Sequence, residues 1–246
     1  MLRSNTQVNR PDKPTRIVIA NAKGGCGKTT IATSLAAYYA SQGDTPLMFD
    51  YDAQSSTMMW LNRRSADVAL IRGVSAHQKP GTITKTWQMR VAQDVKKIIV
   101  DTPAGMAGFA LTDLIRSADA IIVPVLPSTI DMDAASYFVE KLQKVAKTVN
   151  PKARIAVIAN RSRANTLVYV SLLTFLHSLN VPFIGSLRDT QNYAKAALEG
   201  LGVHELDSRY TAKDIRQWQS ILSWITPPPQ GDLFDLPAEA RVVNCA

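Results

Sequence analysis

IANAKGGCGKTT, residues 19–30, continues the run Arg16-Ile17-Val18-Ile19-Ala20 and precedes a helical pattern from Thr30 to Gln42. The spacing Gly27-Lys28-Thr29 between a strand and a helix is that of a phosphate-binding loop. Glycines let the backbone curl so that successive N–H groups point at one centre, and the helix N-terminus adds partial positive charge there. Such a nest, formed by Gly24, Gly25, Cys26, Gly27, Lys28, Thr29 and Thr30, suits a polyphosphate. Lys28 is expected to reach the β- and γ-phosphates and the Thr29 hydroxyl to ligate Mg²⁺. The usual pattern opens with a glycine five residues before Gly27, where this chain has Ala22. The loop is therefore a variant, and it carries a second lysine, Lys23, that phosphate binding alone does not require. A glycine-rich turn with a chance Lys-Thr is the alternative reading.

Two acidic segments belong with this loop. After the second apolar run, PLMFDYDAQSS places Asp50 and Asp52 at a strand end. A carboxylate there can order Mg²⁺ or polarise a water, and Asp52 is expected to do so. Asp50 has a second reading, as a cap on the helix starting near Gln54. Further on, KKIIVDTPAGM ends a strand in Asp101, as a Walker B carboxylate beside Mg²⁺ would, with Thr-Pro-Ala-Gly placed to sense the γ-phosphate. Apolar strands ending in Asp are common, so Asp101 gains its weight from following the loop and the Asp50–Gln54 segment.

Outward from these motifs, apolar runs near 16–21, 46–50, 97–101, 119–125, 154–160 and 182–186 alternate with helical patterns near 28–42, 54–63, 107–117, 131–149, 165–180, 190–200 and 212–225. That alternation predicts a doubly wound α/β fold, a mostly parallel sheet with helices on both faces and ligands at the carboxyl ends of its strands. At 246 residues the chain suffices for one large domain, expected over 16–226. A polar arm, 1–15, precedes it. TPPPQG at 226–231 breaks any helix and begins a short tail over 227–246.

Two cysteines, Cys26 and Cys245, cannot build a disulfide framework, so a reducing cytoplasm is expected. No apolar run approaches the roughly 20 residues that span a bilayer, and the N-terminus lacks a signal-peptide core. His77, His177 and His204 have no metal-ligand spacing. The net charge of +8 is concentrated: Lys141 to Arg216 holds twelve Lys and Arg against five Asp and Glu. This suggests a polyanion, nucleic acid first; solvated helix faces are the other reading.

Lys23-Gly24-Gly25-Cys26-Gly27-Lys28-Thr29, Asp50-Tyr51-Asp52-Ala53-Gln54 and Asp101 to Gly105 resemble the motifs of the ParA/MinD family of deviant Walker A P-loop ATPases, with Ala53 where the family has proline. The likeness runs from about Ile17 to about Ile225. It implies a Mg²⁺-dependent ATPase whose two subunits close around two ATPs, with Lys23 crossing to the partner's nucleotide. A cation delivered in trans stabilises transition-state charge as an arginine finger does, so hydrolysis depends on dimerisation. The resemblance also assigns Asn160 and Arg161 to the adenine; an Asn amide offers donor and acceptor to a base edge, while Arg161 could equally face solvent or DNA.

Within the family, an iron–sulfur branch would need cysteines this chain lacks. A membrane-cycling branch would end in a basic amphipathic helix, but this tail carries Asp232, Asp235, Pro237 and Glu239, so no membrane partner is expected. The small ParA type remains: an ATP-dependent homodimer on non-specific double-stranded nucleoid DNA, held by Lys195, Arg209, Lys213 and Arg216 through backbone phosphates. The short stretch before residue 16 is not expected to hold a helix-turn-helix domain, so sequence-specific operator binding is not expected. A ParB-like or McdB-like adaptor is expected to stimulate hydrolysis. NAKGGCGKTT, ATSLAAYYASQG and DYDAQSSTMMWLNRR look most like the branch that spaces carboxysomes in proteobacteria. Plasmid or chromosome partition, chemoreceptor positioning, or a nucleotide-gated binding module with negligible turnover are the alternatives.

Overall fold

The structure, a computed structural model, describes residues 13–77 and 94–226; most of the expected arm and the whole expected tail lie outside them. Seven strands, β1 Thr15–Ile19, β2 Leu47–Asp50, β3 Arg72–Ser75, β4 Lys97–Asp101, β5 Ala120–Val125, β6 Arg154–Ser162 and β7 Phe183–Arg188, form one sheet ordered β3-β2-β4-β1-β5-β6-β7. Every described pairing is parallel. Side chains alternate across a strand, so the apolar runs divide between two cores. Ile17, Ile19, Ile99 and Ile122 enter one, and Val18, Val100, Ile121 and Val123 the other.

Helices α1 Lys28–Ser41, α2 Ser56–Arg63 and α7 Ser208–Ile225 cover the first core; α3 Gly108–Ser117, α4 Thr129–Val149 and α5 Leu167–Ser178 cover the second. Helix α6 Gln191–Leu198 and a 3₁₀ turn, Val203–Glu205, connect β7 to α7. Caps set the starts. Ser128, Thr166, Thr190 and Asp207 each accept a first-turn amide of α4, α5, α6 and α7 respectively. Asp207 accounts for α7 beginning four residues before the expected 212. Strand β3 was not expected: RGVS is short and only partly covered, and it becomes a strand through pairing with β2 at the sheet edge. The chain leaves β1 toward β2 on one side while β5 flanks it on the other, so the carboxyl end of β1 lies where the winding reverses, the place such sheets bind ligands.

His204 packs in the first core with its ring centroid 5.1 Å from that of Tyr38 and 5.5 Å from that of Trp218, and neither ring nitrogen has a partner. Burial lowers its pKa to about 4 from 6.5. Because the folded value is the lower, the neutral ring's contribution is fully present above pH 6.5 and is lost as pH falls through about 4. By pH 4.5 the loss amounts to roughly 2–3 kcal/mol. His204→Phe, an uncharged ring of similar size, is expected to remove that part of the acid destabilisation, read as urea midpoints at pH 7 and 4.5. An unchanged acid dependence would contradict it.

Candidate nucleotide-binding site

Helix α1 starts on Gly27, at φ 93° and ψ 22°, with no side-chain cap. Its first-turn amides are thus left for a ligand, where the positive end of the helix dipole favours an anion. Glycine is required at 27 twice over: the left-handed φ, and an added Cβ that would lie 2.3 Å from Asn160 Nδ2. Asn160, at the end of β6, donates Nδ2 to the Cys26 carbonyl at 2.7 Å. From the other end of the loop, Asn21 donates to the Pro124 carbonyl at 2.7 Å and accepts the Lys23 amide at 3.2 Å. Two buried amides therefore fasten the loop to the ends of β5 and β6. Asn21 was missed in the sequence, since its partners are a backbone carbonyl 103 residues away and the loop itself.

Lys28 is 7% exposed and turns into the nest, where Nζ donates to the Lys23 carbonyl at 2.9 Å. Lys23, a half-buried residue, uses its backbone in these contacts, which leaves its ammonium outside the loop's hydrogen-bond network among the described residues. The Cys26 thiol donates to the same carbonyl at 3.3 Å, and burial pushes its pKa up. It is a small packed residue there rather than a reactive thiolate.

Asp101 ends β4 at 1% exposure. Its Oδ2 accepts the Thr29 hydroxyl at 2.7 Å and the Thr57 hydroxyl at 2.8 Å, while the buried Oδ1 has no partner. Burial raises its pKa to about 6 against the opposing effect of the two hydroxyls. A buried carboxylate with an orphaned oxygen beside a phosphate-loop threonine fits a hard, oxygen-seeking cation such as Mg²⁺. Thr29 and Asp101 are the groups that would hold it; no cluster of three His, Cys, Asp or Glu is placed to hold a metal among the described residues. Thr57, the third member of this cluster, carried no signal in the sequence beyond following the Asp50–Gln54 segment.

Asp50 is fully buried and accepts the Asp52 amide at 3.0 Å through Oδ1 and the Met58 amide at 3.2 Å through Oδ2. It caps α2, which has no cap from its own Ser55. Asp52 is half-buried and accepts the Gln54 amide at 2.9 Å. The 101–105 segment touches the loop through Gly105, whose amide donates to the Ala22 carbonyl at 2.9 Å.

Beyond the loop, a pocket of about 230 Å³ opens at the ends of β6 and β7, lined by Thr30, Asn160, Arg161, Arg188, Asp189 and Tyr193 among others. Asn160 and Arg161 thus share this pocket with Thr30 of the phosphate nest. Arg188, Asp189 and Tyr193 come to it only through folding. Lys195, Arg209, Lys213 and Arg216 are exposed and line no part of the pocket.

Because the folded pKa of Asp101 is raised from 3.8 to about 6, its contribution to stability is fully present below pH 3.8 and is lost as pH rises through 6. Asp101→Asn is expected to abolish that loss, so its stability relative to the parent rises by roughly 2–2.5 kcal/mol between pH 4 and 7.5 without Mg²⁺. Urea unfolding at both pH values checks it; parallel pH profiles would contradict it.

An uncapped glycine-rich helix start on the central strand of a parallel sheet, with a buried Asp and two hydroxyls beside it, defines a P-loop nucleotide-binding domain. Residues 17–203 match the CobQ/CobB/MinD/ParA nucleotide binding domain, and the chain belongs to that family. It is similar to maintenance of carboxysome distribution protein A of Halothiobacillus neapolitanus, 30% identical over 202 residues, 80% of this chain and 90% of that protein. The protein of the same description from Gloeobacter kilaueensis is 26% identical, over 84% of this chain and 96% of its own length. The chromosome-partitioning ATPase Soj of Thermus thermophilus is 27% identical, over 58% and 67%. Among solved structures, apo McdA of Cyanothece shares the fold at TM-score 0.68 and 18% identity, covering 85% of this chain and 99% of that one. MinD complexed with Mg-ADP from Pyrococcus horikoshii does so at 0.64 and 16%, covering 87% and 96%. No helix among the described residues is long and apolar enough to cross a membrane.

Proposed function

We propose that this chain is an ATP-switched homodimer that binds nucleoid DNA without sequence preference and positions a cargo, the carboxysome first, through a ParB-like or McdB-like adaptor that stimulates hydrolysis. What carries the reading is the loop: Lys28 fills the phosphate nest, while the Lys23 ammonium stays outside the loop's network. Likeness over 90% of a carboxysome distribution protein supports the cargo. Lys28 grips the β- and γ-phosphates, Thr29 and Asp101 hold Mg²⁺, Asn160 and Arg161 face the base, Asp52 orders the attacking water, and Lys23 acts on the partner subunit's nucleotide. Bound Mg²⁺ neutralises phosphate charge. Turnover with and without DNA and a candidate adaptor, together with cargo spacing in a deletion strain, tests this. Loss of regular carboxysome spacing is expected; normal spacing accompanied by plasmid loss would assign partition instead, and negligible stimulated turnover a binding module.

The DNA surface has its own test. Arg209, Lys213 and Arg216 lie four and three residues apart on α7, one exposed helical face. Arg209 also donates to the Asp207 carboxylate, which reduces the charge it offers, so Lys213 and Arg216 are expected to matter more. Each phosphate neutralised contributes about −0.9 to the slope of log K against log salt. Replacing all three by Glu is expected to abolish ATP-dependent gel shifts on two unrelated duplexes while leaving dimerisation intact. Unchanged binding, or strong preference for one duplex, would contradict this surface or mode.

A further inference from the structure

The domain opens a groove near the end of the described chain at Thr226. The groove, about 300 Å³, lies at the amino ends of β6 and β7, with Ala146, Ala153, Ile155, Val181 and Pro182 as apolar walls and Lys147 beside them. Gln143, also in its wall, donates to the Asn180 carbonyl at 2.7 Å and ties α4 to the start of β7 there. Helix α7 ends at the same strand end. Arg154, between Ala153 and Ile155, donates to the carbonyls of Trp224 at 2.5 Å and Ile225 at 2.7 Å. Ile225 belongs to the first core and Ile155 to the second, so the chain leaves α7 on one face of β6 and the groove opens on the other.

We propose that residues 232–236, Asp-Leu-Phe-Asp-Leu, seat in this groove of their own chain. Pro227-Pro228-Pro229-Gln230-Gly231 separates them from Thr226. Five residues of proline-rich chain extend about 15 Å, and they start from Thr226, next to Ile225, whose carbonyl already meets Arg154 between the groove residues Ala153 and Ile155. Leu233, Phe234 and Leu236 match the apolar walls, and Asp232 and Asp235 match Lys147 with its exposed neighbours Lys144 and Lys152. A short tether supplies the segment at an effective concentration in the mM range, so a contact worth only about 0.1 mM leaves roughly one tail in ten free. Occupancy rests on the tether, not on a large interface.

Hydroxyl-radical labelling of Phe234 in the full chain tests the proposal. Labelling is expected to run roughly tenfold slower than in a free peptide of residues 230–246, and to rise toward the peptide rate in Val181→Glu and in Lys147→Glu. Lys147 is exposed, so the second variant reports on the groove even if the first disturbs the fold. Labelling of the parent at the peptide rate, protection that neither variant relieves, or protection lost on dilution, which would make a second copy the source of the segment, each overturns docking in cis.

Discussion

Lys28→Ala is expected to lose ATP binding, and Lys23→Ala to keep binding while losing the ATP-dependent dimer. The two lysines differ in place, not in charge. Lys28 is buried with Nζ in the nest, 2.9 Å from a loop carbonyl, where it faces whatever the α1 amides bind. Its removal leaves a polyphosphate without the one cation inside the loop. Truncating one partner of a buried, hydrogen-bonded charge pair costs about 2–5 kcal/mol, roughly 30- to several-thousand-fold in Kd. Lys23 supplies backbone contacts that alanine preserves, so the loop is expected to stand in its absence. Its side chain matters only if a second subunit closes over the site. Light scattering with Mg-ATP, alongside nucleotide titration, separates the two: an undiminished Lys23→Ala dimer would remove the trans role, and near-normal ATP affinity in Lys28→Ala would overturn the site.

Asp52→Ala is expected to bind ATP and dimerise like the parent but to hydrolyse it about 10²- to 10⁴-fold more slowly, the usual contribution of a group that positions or deprotonates the nucleophile. Asp52 stands two residues beyond β2, whose last residue, Asp50, is in register with Asp101 of β4. The Tyr51 amide donates to the Asp101 carbonyl at 3.0 Å, so the segment is anchored before Asp52 leaves it. Alanine removes one exposed contact to Gln54, so the fold is expected to survive. Phosphate release under saturating Mg-ATP is the measurement; near-normal turnover would move the role to another group. Asp50→Ala would be a poor substitute, since it uncaps α2.

The sequence by itself determined six of the seven strands, the two helical layers and the phosphate loop. Residues at spacings of 2.0 and 3.6 report which face is covered, and Gly27-Lys28-Thr29 lies in one continuous strand, loop and helix. Asp101 was legible because a strand tip fixes where its last residue points. Folding alone decided the rest. Asp50 and Asp52 are two carboxylates two residues apart, and only the packing of α2 against β2 made one a cap and left the other half-exposed. RGVS became β3 because β2 offered an edge. Thr57, Asn21, Arg188, Asp189 and Tyr193 joined the site from distant segments, through side chains whose types are common everywhere. Their roles come from distance and burial, which a linear pattern does not encode: a hydroxyl reads as solvated until the buried carboxylate it must satisfy lies 2.8 Å away.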